Sequence, residues 1–195
     1  MRTQALALTV AFAALAIVLN TIRVPTFYWP NMWYRLYEIP IVIAFLLFGP
    51  RIGISVVALH LLGQEIFFPL GPVGFVAYPN GAVAILVMLL GTHLATMFIK
   101  HKEKAGEPLT GKKQILLVTA MSIAVRGGIM PFIDYEFNRF LFPLVLGPGI
   151  FTDAFVNSLI PAFVLFNVTV PLYTIPISYL IAKRVSRNLK LGTNP

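Results

Sequence analysis

Three polar side chains interrupt apolar stretches of the chain and are placed to carry its chemistry: Asn80 in VAYPNGAV, Arg126 in SIAVRGGIMP and Asn167 in IPAFVLFNVTVP. Each stands near Gly or Pro, where a helix is loosened and backbone groups come free. A polar group in such a stretch costs free energy unless it is paired or faces a cavity. For Asn80 and Asn167 two roles are open, contact with a ligand or an interhelical hydrogen bond worth about 0.6 kcal/mol. Arg126 demands more, because its charge needs a partner. Glu38, Asp134, Asp153 or an anionic group on a ligand would serve, and so would a snorkelling path to the interface.

The residues of common enzymes are missing. The chain has no cysteine, no G-x-S-x-G and no H-E-x-x-H. His60, His93 and His101 have no carboxylate at metal-ligand spacing, so each reads as a core or interfacial histidine, and no metal or cofactor site is expected. No ATP-binding loop is present either, so any transport driven by nucleotide would draw on another subunit.

What must position these residues follows from composition. Of 195 residues, 58% are hydrophobic and only 11% charged, with a mean hydropathy of +0.84. Too few charges remain to cover a soluble globule of this size, so lipid is the expected solvent of the outer face. The net charge of +8 raises nucleic acid as a partner. The basic residues cluster instead beside apolar runs, Lys100, Lys102, Lys104, Lys112 and Lys113 in one loop and Lys183, Arg184, Arg187 and Lys190 after the last run. That is the positive-inside pattern, and with no aromatic residue in that loop to stack bases, nucleic acid is set aside.

Apolar runs at 5–22, 39–48, 52–69, 73–99, 114–133 and 154–182 predict an all-α membrane protein, a single domain over 1–195 with six transmembrane helices. The first run is long enough to favour a retained helix over a signal peptide. The count turns on Gly49-Pro50-Arg51. Without a break there, 39–69 would form one helix of about 46 Å across a hydrocarbon core of about 30 Å, with Arg51 near its middle. Six spans with both termini cytoplasmic put eleven of the fifteen basic residues inside.

The outer loop 23–38, RVPTFYWPNMWYRLYE, holds Tyr28, Trp29, Trp33, Tyr34 and Tyr37. They suit an interfacial belt or a lid over an outward pocket, and the two are compatible. The inner loop 100–113 reads as solvated and mobile. Ala7, Ala11 and Ala14 share one face of the first helix at a spacing that lets another helix approach closely, either within the bundle or from another subunit.

The alanine-rich first helix with Ala7 and Ala11, the Glu38-Ile39-Pro40 start of the second helix, the run FLLFGPRIG and the Phe166-Asn167 pair together resemble the S components of energy-coupling-factor vitamin transporters, most of all the riboflavin-binding branch. The resemblance covers most of the chain. It implies six helices in the plasma membrane, a vitamin held near the outer face, and an alanine face that docks on a transmembrane coupling protein carrying two cytoplasmic ATPases. Two positions depart from it: Val125-Arg126 stands where relatives carry an asparagine, and Val170 where they carry a lysine. The expected binding residues are Trp33, Tyr34, Glu38, Asn80, Arg126 and Asn167, around a ligand of which riboflavin is the first guess. The rival is a stand-alone carrier driven by an ion gradient, with Glu65 and His60 as its only plausible coupling groups.

Overall fold

A chain this apolar satisfies its backbone within helices, and helices make up most of the computed structural model. It describes residues 2–28, 32–107, 109–147, 149 and 151–188, Arg2 by its backbone alone. In order the elements are α1 (Arg2–Leu19), strands β1 (Arg23–Pro25) and β2 (Trp33–Arg35), α2 (Glu38–Phe48), α3 (Pro50–Phe67), α4 (Gly74–Lys104), α5 (Gly111–Glu136), α6 (Phe142–Leu146) and α7 (Asp153–Asn188). Three helical stretches, Gly71–Lys104, Gly111–Leu146 and Asp153–Asn188, are long and apolar enough to cross a membrane. Their outer faces carry large apolar side chains such as Phe75, Phe132, Leu144 and Leu172, as a lipid solvent requires.

The break falls on Gly49 alone. Its φ of +90° is open to glycine at little cost and not to L side chains, and α3 resumes at once with Pro50, whose missing N–H would be unpaired in a first turn anyway. Arg51 is therefore not part of the break; it lies in the first turn of α3. The turn folds α3 back so tightly that a Cβ on Gly53 would come 2.7 Å from the Cβ of Phe45. Helix α2 has 11 residues, ten of them buried. At the helical rise it reaches about 16 Å, half the hydrocarbon thickness, so it is the core of the bundle rather than a full-length rod.

Other boundaries shift for physical reasons. Helix α4 runs past the apolar run to Lys104, its last turn placing His101, Lys102 and Lys104 where the helix dipole favours cations. Helical structure likewise continues beyond α5 through one wider π-type turn at Phe137–Leu141 into α6, well past residue 133. The loop 23–38 is partly regular: β1 and β2 pair antiparallel, Val24 opposite Tyr34. Trp29 and Lys190 lie outside the described residues.

Chain direction sorts the bundle into two ends. The basic link between α4 and α5 lies at one, where Tyr179 donates to Gln114 Oε1 at 2.9 Å. The hairpin, the start of α2, the start of α4 and the α6–α7 link lie at the other. Between them α4 and α5 come into close contact at Gly91, where a Cβ would fall 2.8 Å from both the Met121 carbonyl oxygen and Ser122 Cα.

Candidate binding site

Arg126 sits on α5 ten residues before its end at Glu136, about 15 Å in at the helical rise and deeper than the apolar runs suggest. Its side chain is 1% exposed, which removes the snorkelling role. Its partner is Glu38, at the start of α2: Nη1 donates to Oε2 at 2.6 Å and Nη2 to Oε1 at 3.2 Å, a two-pronged pair that matches the planar fork to the carboxylate. Nε donates to Asn167 Oδ1 at 3.1 Å.

Asn167, on α7, passes the contact on. Its Nδ2 donates to Asp134 Oδ2 at 2.7 Å and to the Phe163 carbonyl at 3.0 Å. The other Asp134 oxygen accepts from Asn80 Nδ2, on α4, at 2.8 Å. One polar chain, Glu38–Arg126–Asn167–Asp134–Asn80, thus ties α2, α5, α7 and α4 together. Its amide orientations are dictated by chemistry, since each carboxylate can only accept while ionised and the guanidinium can only donate. Asn138, in the wide turn after α5, donates to the Asp134 carbonyl at 2.7 Å and holds that turn beside the carboxylate.

These residues form one wall of a cavity of about 510 Å³ beneath the hairpin, within the range of roughly 300–1,000 Å³ typical of small-molecule sites. Trp33, Glu38, Asn80, Arg126 and Asn167 all line it. Tyr34 does not. Its ring stacks on Phe166 at 5.6 Å and 10°, and its hydroxyl meets Thr169 at 2.8 Å and Tyr28 at 3.0 Å. Tyr34 latches the hairpin onto α7, helped by Tyr173, which donates to the Arg35 carbonyl at 3.1 Å. Partial burial first, and then the Tyr34 hydroxyl, raise the Tyr28 phenol above its usual range, so this latch stays protonated.

Much of the remaining lining is aromatic: Phe142, Phe151, Phe155, Phe163, Phe166 and Tyr173. Phe142 and Phe151 stack at 5.5 Å, joining α6 to the segment before α7. Sequence reasoning passed over this lining and over Asp134 as a cavity residue. A signal was present, since Phe155, Leu159, Phe163, Phe166, Val170 and Tyr173 follow a three-and-four spacing along α7 and all reach the cavity.

The remaining candidates lie elsewhere. Ala7, Ala11 and Ala14 are all exposed, whereas Ala13 and Ala16 are buried; the first three form an outer face of α1 and do no packing inside this bundle. His60 is buried with its ring stacked on Tyr37 at 4.4 Å. Glu65 packs beside Gly74, and among the described residues no hydrogen bond or ion pair joins it to His60. No group of three or more metal-ligating side chains occurs among the described residues.

No family model matches the chain, and no curated protein matches it. Among solved structures it is similar to the S component of a bacterial ECF transporter, with a TM-score of 0.67 and 20% identity over 97% of this chain and 99% of that one. At that identity the likeness is one of fold, and it runs the whole length of both chains.

Proposed function

We propose that this chain is the substrate-binding S component of an ATP-driven importer of the energy-coupling-factor type, with a small ring-bearing vitamin or related molecule as its ligand. One observation carries the reading: a ligand-sized cavity, lined by both aromatic and polar side chains, lies at the end of the bundle opposite the basic loop. By the positive-inside rule the basic end is cytoplasmic and the cavity faces outward. Both termini are then cytoplasmic and the chain passes the plasma membrane six times, α2 and α3 acting as a folded-back pair. Riboflavin is the first candidate ligand, on the strength of Glu38-Ile39-Pro40, FLLFGPRIG and Phe166-Asn167; its flat ring suits the phenylalanine wall. The exposed alanine face of α1 is the docking surface for a transmembrane coupling protein that brings two ATPases.

Reconstitution tests this directly. Riboflavin and other ring-bearing vitamins are offered to the detergent-purified protein, and the bound species are read by native mass spectrometry. Proteoliposomes with and without a coupling module then report uptake. Retention of a vitamin, with uptake only in the presence of the module and ATP, is the expected result. Uptake without the module would overturn the reading in favour of a gradient-driven carrier.

A further inference from the structure

The charges of the cavity balance in number but not in place. Four charged side chains line it: Glu38, Asp134, Arg126 and Arg35. Glu38 and Arg126 neutralise each other through their two-pronged pair. Arg35 is half-buried on the hairpin, where Nη1 donates to Asn20 Oδ1 at 3.4 Å, and it forms no ion pair among the described residues. Asp134 is 8% exposed and, among the described residues, its carboxylate is held only by the neutral amides of Asn80 and Asn167. The deep wall therefore holds a carboxylate with no ion pair among the described residues, an arrangement that is costly for its ionised form unless something compensates it.

A second feature points the same way. Asn80 Oδ1 is buried with no hydrogen-bond partner among the described residues, while the Nδ2 of the same amide is bound to Asp134. The unsatisfied acceptor is thus next to the uncompensated carboxylate. Each Asp134 oxygen accepts one bond from an amide and keeps a further lone pair. Two adjacent acceptors, one of them anionic, suit a group with two parallel N–H donors and a positive charge.

We infer that the ligand presents a planar cationic N–H donor group, of the amidinium or protonated amino-heterocycle type, to Asp134 and Asn80, with its ring against Phe142, Phe151 and Phe163. This rests on the binding role proposed above and narrows its ligand class away from anions and from neutral rings, so it sets riboflavin aside in favour of a cationic ligand. Arg126, neutralised by Glu38, holds the wall in place.

Three probes that share one ring and differ in charge test it: benzamidine, benzamide and benzoate, titrated into the detergent-purified full chain by calorimetry. Benzamidine is expected to bind at least tenfold more tightly than either of the others. Asp134→Asn removes that advantage, and Glu107→Gln, in the basic loop at the far end, keeps it. Benzamide or benzoate binding as tightly, no binding by any of the three, or a preference that survives Asp134→Asn overturns the inference. Should Asp134→Asn not fold, Asn80→Ala replaces it, with a threefold or greater loss expected for benzamidine and an unchanged affinity counting against the proposal. The two readings fail separately. An anionic or neutral vitamin retained by the wild-type protein sinks the cation and leaves the transport role, whereas uptake independent of a coupling module sinks the transport role and leaves the cation.

Discussion

Helices α4 and α5 meet at two levels, and they meet differently at each. Toward the basic end they pack dry. Gly91 lets the α5 backbone in, Thr92 and Ser122 share a hydrogen bond at 3.0 Å, and Met88, Ala95 and Val118 fill the surroundings. Toward the hairpin the same two helices, joined by α7, part around a cavity and replace close packing with the polar chain from Glu38 to Asn80. The lesson is a division of labour along one helix pair. Small residues supply van der Waals contact where nothing need enter, and long polar side chains span the gap where something must.

Breaking the polar level should have the largest effect. Arg126→Ala leaves Glu38 buried without its partner, and Glu38→Ala does the reverse; each is expected to cost about 3–5 kcal/mol. The pair Arg126→Met with Glu38→Leu should cost clearly less than the two single losses together, which a double-mutant cycle on thermal unfolding in detergent would read. Additive losses would mean that the ion pair is not what holds this level.

The dry level is sharpened by Gly91→Ala. Its Cβ would meet backbone, which cannot swing away, so a loss of about 1–3 kcal/mol is expected from overpacking. Thermal unfolding checks it, and a neutral result would show that α4 and α5 have room to part. Milder still is Tyr34→Phe, which keeps the stack on Phe166 but deletes the hydroxyl shared with Thr169 and Tyr28; a loss of about 1 kcal/mol is expected. Its clearer reading is faster ligand release in stopped flow, and an unchanged off-rate would mean that the hairpin is not a latch. The smallest effect on stability, within about 0.5 kcal/mol, is expected for Ala11→Leu on the outer face of α1. Ligand binding should also be unchanged, while uptake with a coupling module falls; normal uptake would leave that face without a partner.

Much of this was legible in the residues. Asn80, Arg126 and Asn167 declare themselves because polar groups are costly in apolar helices, and the break at Gly49-Pro50 because a single helix through it would be too long. The aromatic stripe from Phe155 to Tyr173 was equally open to reading, since it follows the helical period. The hairpin was harder to see, because proline-rich aromatic segments suit loops as well as short strands. The direction of Ala7, Ala11 and Ala14 was hidden too: spacing puts residues on one face of a helix and leaves open what that face meets.

By itself the amino-acid sequence determined the solvent, the helical architecture and the side chains that violate apolarity, since those depend on composition and short-range spacing. Only the tertiary structure decided who pairs with whom. Three acids stood as partners for Arg126, and the one it meets is 88 residues away in the chain; Asn80 and Asp134 are 54 apart. A hydrogen bond is set by distances of about 3 Å in space, which spacing along separate helices does not encode. For the same reason the Asp134 carboxylate without an ion pair among the described residues, the feature on which the proposed ligand class rests, emerges only when the helices are brought together.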